Sequence, residues 1–150
     1  MATELLLKAA ARPVQKLMPE TEALWGRMTP QHMVEHLIVT LKIANGKIRT
    51  KVAVSEAEVE LRKKFLMGDA MFEKNIKNPV LGDELPKLRN ANLDEAREKF
   101  LKEIDDFYEF FKSNPEAKPV HPLFGELYKS EWERFHLKHF THHFKQFGLL

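Results

Sequence analysis

The chain has seven histidines, and four of them lie in one stretch near its end, residues 130–148. An α-helix turns by roughly 100° per residue, so His136, His139 and His143 would share the arc that carries the apolar side chains, within roughly 60° of one another. His142 lies at the edge of this arc, and we expect it to be peripheral. A single histidine on a buried face usually forms a hydrogen bond to a neighbouring group, but three together indicate a shared chemical function. Metal ligation is the chemistry that such a cluster predicts.

The spacing of two of these histidines suits one ion. His139 and His143 are four residues apart, which places their β-carbons about 5–6 Å apart on one helix face. His36 lies on a second helix that is apolar nearly all round, and ligands in a bundle core project inward from facing helices. His36 is therefore the expected third donor. Pairs of His136 with His139 or His143, and of His32 with His36, also have workable geometry.

Three neutral imidazoles suit zinc, nickel, copper or iron(II), and we expect zinc or nickel. Three protein ligands leave a position for water or substrate, as in catalytic zinc sites. A metal there can act as a Lewis acid and lower the pKa of bound water towards about 7, so hydrolysis or activation of another nucleophile is feasible. The alternative is a non-catalytic binding module, with histidines bonded to one another or to Glu35 and water.

Helical periodicity and helix-start signals predict an all-α fold, most simply a four-helix bundle with one or two extra short helices and long connecting loops. Thr29 is the expected N-cap of the second helix, and Pro30 suits its first position. Ser55 with Glu58, and Ser130 with Glu133, match the capping-box pattern. The predicted helices cover residues 4–17 (interrupted at Pro13), 30–44, 56–67, 92–112 and 130 onward.

The segments between these helices contain no predicted strand. The alternating run at residues 47–54 is short and isolated, and Lys138 is expected on the solvent face of the last helix. Residues 76–91 read as a long loop, a feature that is uncommon and often functional. We expect it either to cover an opening of the bundle or to wrap the surface.

The composition is that of one globular domain spanning residues 1–150, with 43% apolar and 31% charged residues. No apolar run approaches the roughly 18 residues of a membrane span. The absence of cysteine excludes disulfides and thiolate ligands and fits the cytoplasm. Basic and acidic residues alternate within a net charge of +2, so no phosphate-binding stripe stands out and nucleic-acid binding is not supported.

Three stretches of the chain carry a family resemblance. They are Trp25-Gly26-x-Met28-Thr29 leading to Gln31-His32-Met33-x-x-His36-Leu37, then His121-Pro122-x-Phe124-Gly125 with Glu131-Trp132, and finally His139-x-x-His142-His143-x-x-Gln146-Phe147-Gly148. Together they resemble the DinB/YfiT-like superfamily of metal-dependent four-helix-bundle proteins, and especially a branch of uncharacterised bacterial proteins. Many relatives have Arg-Gly-Gln after the last histidine ligand, whereas this chain has Phe144-Lys145-Gln146, so only the glutamine agrees.

The resemblance implies a metal site formed by His36, His139 and His143. In motif terms, the pocket residues would be His32, His121, His136 and Gln146. Some relatives are transferases or isomerases that use low-molecular-weight thiols, and some resemble hydrolases. The resemblance therefore implies a metal-dependent enzyme acting on a small substrate, and a homodimer.

Overall fold

The computed structural model describes residues 2–73 and 84–150, with side chains from residue 6 onward. The fold is all-α, as predicted, with one small two-stranded sheet. The helices are α1 (Ala2–Ala10), a 3-10 helix (Arg12–Lys16), α2 (Pro30–Ala44), α3 (Glu56–Met67), α4 (Leu93–Ser113) and α5 (Lys129–Gln146). The antiparallel strands β1 (Val120–His121) and β2 (Gly125–Glu126) form a short hairpin that had no signal in the sequence, because two-residue strands have no detectable period.

Four helices close a ring around one core. Helix α2 packs most extensively on α4, α5 contacts both α1 and α2, and α1 contacts α4, while α3 packs against the outside of α5. Aromatic side chains fill the interior, since Phe100 and Phe107 of α4 and Phe140 and Phe144 of α5 are all fully buried. The Phe100 and Phe140 rings meet edge to face, with centroids 5.2 Å apart. Facing aromatic rings thus join α4 to α5.

Local signals set most of the helix ends. The Thr29 side chain accepts the first-turn amide of His32, and Ser55 accepts that of Glu58, so α2 and α3 start where predicted. Asn92 caps α4 in the same way. The first helix is interrupted near Pro13, as predicted, because α1 ends at Ala10 and the proline lies in the following 3-10 helix.

The predicted capping box at the start of the last helix is wrong. Helix α5 begins at Lys129 instead, and the Glu131 carboxylate accepts a hydrogen bond from the Tyr128 amide at 2.8 Å. Glu133 points into the interior, where it is 5% exposed and accepts a hydrogen bond from the Tyr108 hydroxyl at 2.9 Å. This tertiary contact draws Glu133 away from the helix end, so Ser130 has no partner for a capping box.

The expectation that Lys138 faces solvent is also wrong. Its side chain is buried and its ammonium donates to the carbonyl oxygens of Gly68, at 2.8 Å, and of Ala70. Arg134, one turn earlier, donates to the carbonyls of Leu66, Met67 and Gly68. Cations complement the unpaired carbonyls at a helix C-terminus. The two side chains therefore fasten the end of α3 and the segment after it to α5.

The predicted loop at residues 76–91 lies partly outside the described residues. Its described part, from residue 84 to residue 91, contains no helix or strand. The Glu35 carboxylate accepts the backbone amides of Arg89 and Asn90, at 2.8 and 3.0 Å, which fastens this part of the loop to α2. No helix in the described parts of the chain is long and apolar enough to cross a membrane.

Two leucines of α3 test how the helix is held. Leu66 is fully buried whereas Leu61 is 66% exposed. We expect Leu66→Ala to lower the free energy of unfolding by about 2–5 kcal/mol, through lost burial and the cavity left behind. The matched change Leu61→Ala should stay within about 0.5 kcal/mol of the unmodified protein. Urea denaturation of the two variants provides the measurement, and equal losses would contradict the packing of α3 on the bundle.

Candidate metal centre

Three histidine rings converge between α2 and α5. The Nε2 atom of His139 lies 2.9 Å from Nε2 of His36 and 3.2 Å from Nε2 of His143. The ligand atoms of all three lie within 4.8 Å of one another. The four-residue step in α5 aligns His139 and His143, and the contact of α2 with α5 brings in His36 from 103 residues away. The fold therefore brings the three predicted ligand residues together.

The spacing of these atoms fits a metal ion. With Zn–N bonds of about 2.0–2.1 Å in a tetrahedral site, neighbouring donor atoms are about 3.3–3.4 Å apart. The separations of 2.9 and 3.2 Å are close to this value. Three neighbouring nitrogens could hold a divalent ion after small movements of the rings.

Gln146 determines which nitrogen of His143 carries a proton. Its amide Nε2 donates to the carbonyl oxygen of Trp25 at 2.9 Å, which fixes the orientation of the amide group. The amide oxygen then lies 2.7 Å from Nδ1 of His143, so this nitrogen must carry the proton. The lone pair of His143 Nε2 is left facing the cluster. A donor arrangement of this kind orients histidine ligands in metal sites.

This bridge fits closely against the connection between α1 and α2. The backbone amide of Leu24 donates to the carbonyl oxygen of Gln146 at 2.7 Å. Gly26 has φ of +80°, and a β-carbon added there would lie 2.8 Å from Nε2 of Gln146. Glycine allows both the left-handed backbone and the close approach of the amide.

Burial keeps the three rings neutral. Loss of solvent, with a smaller contribution from His142, lowers the pKa of His36 to about 4. Burial, and then the nearby His36, lower the pKa of His143 to about 3 against the opposing hydrogen bond to Gln146. Burial also holds the pKa of His139 well below its usual value. Neutral imidazole is the form that binds metals, and burial favours this form of the three rings near pH 7.

Aromatic side chains surround the cluster. The Phe135 ring lies 4.9 Å from that of His139, measured between centroids, and the Phe72 ring lies 6.2 Å from it. His142 was expected to be peripheral, but it is half-buried, with its ring 5.7 Å from that of Trp25 and 6.0 Å from that of Phe72. These rings limit the access of water to His139 and His143.

His121 is the last residue of β1 and lies close to the Phe135 ring. Its ring centroid is 4.6 Å from that of Phe135 and 5.4 Å from that of Trp132. The backbone amide of Leu123 donates to Nδ1 of His121 at 3.0 Å, so the neutral ring carries its proton on Nε2. Burial, followed by the charge of Arg62 and then the nearby His36 ring, lowers the pKa of His121 to about 3. The fold thus brings His121 near the three converging rings.

His136 is fully enclosed by aromatic rings. It stacks on Trp132, with centroids 5.5 Å apart, and contacts Phe107 edge to face at 5.3 Å. Burial, then the nearby His121, lower the pKa of His136 to about 3. Neither of its nitrogens has a hydrogen-bond partner in the described parts of the chain, and the same is true of Nδ1 of His139.

His32 makes contacts of a different kind. Its Nδ1 lies 2.7 Å from the Thr29 hydroxyl, and its Nε2 lies 3.0 Å from the carbonyl oxygen of Pro86. Glu35, the alternative partner considered for the histidines, instead bonds Gln31, Arg89 and Asn90. Desolvation acts to raise the pKa of Glu35, but these hydrogen bonds outweigh it and lower the pKa. Both side chains hold the loop after residue 84 rather than the histidine cluster.

The fold and the site together define a helical bundle with three convergent histidines. The chain belongs to the family described as "Protein of unknown function (DUF1569)", whose model matches residues 64–148. This match includes His139 and His143, while His36 lies before it. No curated protein and no solved structure matches the chain at a significant level.

Some residues of the site had no signal in the sequence. Phe72 follows α3 and reaches His139 because Lys138 and Arg134 fasten the preceding backbone to α5, and each of these contacts spans 66–70 residues. Helical periodicity reports which face of a helix is apolar, but it does not report such long-range partners.

The Gln146 bridge makes a prediction about the proton on His143. In metal-free protein, ¹⁵N NMR of the histidine rings should find the Nδ1–H form of His143 predominant, because the Gln146 oxygen accepts that proton. Gln146→Leu should remove this preference, since it removes the acceptor. Lys145→Leu is the matched control, because Lys145 is exposed on the same turn. Predominance of the Nε2–H form in the unmodified protein would contradict the assignment.

The lowered histidine pKa values make a prediction about acid stability. Between pH 6.5 and about 3 the unfolded chain binds more protons than the folded one, because His136 and His143 have pKa values of about 3 when folded. Stability is then fully present above pH 6.5 and falls as the pH decreases through this window. Urea denaturation of metal-free protein, near pH 7 and near pH 5, measures this loss.

His136→Phe provides the comparison for this acid loss. The substitution removes one of the titrating groups, so the variant should lose less stability on acidification than the unmodified protein. Equal losses in the two proteins would show that His136 titrates normally in the folded state.

Proposed function

We propose that this protein binds a divalent metal ion, zinc or nickel, through His36, His139 and His143. The observation that supports the proposal is the convergence of the Nε2 atoms of two buried histidines and the half-buried His36, with separations of 2.9 and 3.2 Å along the set. The hydrogen bond to Gln146 favours the Nδ1–H tautomer of His143, which leaves Nε2 free to bind a metal. The lowered pKa values of His36 and His143 mean that neither ring must lose a proton before metal binding near pH 7. On the sequence motifs, we further propose that the chain is a DinB/YfiT-like protein of a bacterial branch.

The bound ion would supply Lewis-acid chemistry at a fourth ligand position. The protein's own part is to hold three neutral donors in place and to exclude bulk water with Phe72 and Phe135. His36 is only half-buried, so we propose that the small substrate approaches from its side of the cluster. The reaction we propose is either the transfer of a low-molecular-weight thiol to the substrate or the hydrolysis of the substrate.

The oligomeric state and the cellular compartment are proposed on separate grounds. We propose a homodimer, as in many DinB/YfiT-like proteins. The cytoplasm is the proposed compartment, because the chain contains no cysteine that an oxidising environment would pair.

Metal analysis of histidine variants tests the ligand set. After reloading with zinc or nickel, the unmodified protein should hold about one ion per chain in the tri-histidine site. His36→Ala, His139→Ala and His143→Ala should each weaken binding beyond the roughly 10–100-fold effect of outer-shell changes. His32→Ala is the control, because the His32 ring bonds Thr29 and Pro86. The metal affinity of this variant should equal that of the unmodified protein. Failure of the unmodified protein to bind either metal would overturn the proposal.

Cobalt substitution distinguishes an enzyme from a non-catalytic metal protein. In an open site, an added thiol or azide should enter the coordination shell and change the visible absorption spectrum of the cobalt form. A spectrum that neither ligand changes would indicate a closed shell, and the non-catalytic binding module would then be the better description.

A further inference from the structure

Three unpaired nitrogens lie beside the proposed metal site. Among the buried side-chain polar atoms that the structure describes, four lack a hydrogen-bond partner, and three of them are Nδ1 and Nε2 of His136 and Nδ1 of His139. Buried polar atoms without partners are costly, and each one in a native fold calls for an explanation. The two rings lie on one turn of α5, so one partner can bond a nitrogen of each ring.

His121 is a third histidine that contacts the same aromatic ring, Phe135, as His136 and His139. The Phe135 ring is a common neighbour, with centroid distances of 4.6 Å to His121, 5.4 Å to His136 and 4.9 Å to His139. Each of the three rings also interacts electrostatically with the other two. Because the Leu123 amide occupies Nδ1 of His121, this ring presents an N–H donor at Nε2. Three imidazoles therefore pack around one aromatic ring, that of Phe135.

We infer that His121, His136 and His139 bind one buried water molecule, which is the outer-shell partner of the ligand His139. The inference rests on the proposed metal site, where Nε2 of His139 binds the ion and its neutral ring carries the proton on Nδ1. The water accepts hydrogen bonds from Nδ1–H of His139 and Nε2–H of His121, and donates one to the unprotonated nitrogen of His136. Three partners are typical of a buried water.

The same water would serve the metal-free protein. His143 Nε2 has no proton, so a hydrogen bond across the 3.2 Å contact in the metal-free protein is one that Nε2 of His139 donates. Nδ1 of His139 is then an acceptor. A water molecule can donate to this nitrogen before metal binding and accept from it afterwards. His136 is thus a positioning residue, which acts on the metal through the water and His139.

Zinc affinity of His136 variants tests this role. His136→Phe keeps an aromatic ring in the cage and removes both nitrogens, so we expect zinc affinity to fall by roughly 10–100-fold. His136→Gln retains an amide that can bond the water, so its loss should be smaller. Phe140→Leu is the packing control, because its ring lies 5.7 Å from that of His136 and carries no nitrogen. It should lower stability and leave zinc affinity unchanged.

The outcomes separate the two proposals. If the unmodified protein and all variants fail to bind zinc, the metal site itself is wrong. If the unmodified protein binds zinc and His136→Phe binds it equally well, His136 is only a core residue and the inference fails. An equal loss in His136→Phe and Phe140→Leu would assign the effect to packing and would also overturn the inference.

An NMR measurement on the unmodified protein tests the water directly, even if His136→Phe does not fold. In the zinc-loaded protein, the Nδ1–H proton of His139 should exchange slowly and show a cross-relaxation signal with a bound water molecule. A His139 ring protonated on Nε2, or a slow Nδ1–H proton without contact to water, would contradict the inference.

Discussion

The removal of histidine rings from water is the constraint on which this structure depends. Burial is the main cause of the lowered pKa of His36, His121, His136, His139 and His143. A neutral imidazole has one donor and one acceptor, so each buried ring needs a defined tautomer and a partner for each nitrogen. Gln146 fixes the tautomer of His143 through its Nδ1, and the Leu123 amide fixes the tautomer of His121 in the same way. The bundle arranges these partners before any ion is present.

Much of the fold could be predicted because its signals are local. Thr29, Ser55 and Asn92 cap their helices through amides three residues away. The four-residue step between His139 and His143 is equally local. His36 could be proposed as their partner because a polar ring on an almost wholly apolar helix must meet another polar group in the core.

The remaining features depend on contacts between distant residues. The bond from Gln146 to Trp25 spans 121 residues, and that from Lys138 to Gly68 spans 70. The predicted Ser130–Glu133 cap failed for the same reason, since the Tyr108 hydroxyl on another helix holds Glu133 inside. Helical periodicity also placed Lys138 in solvent, although the carbonyl groups after α3 surround its ammonium. Such competition between local and tertiary partners requires the three-dimensional structure.

The attachment of Gln146 to the α1–α2 connection has a thermodynamic consequence. Its backbone carbonyl bonds the Leu24 amide and its side chain bonds both the Trp25 carbonyl and His143. Coupling between two sites is reciprocal: if ordering of residues 24–26 strengthens binding at the histidine cluster by some free energy, an occupant of the cluster stabilises that ordering by the same amount. The connection between the first two helices, remote in sequence from α5, is therefore energetically part of the histidine cluster. Its local stability reports on the occupancy of the site.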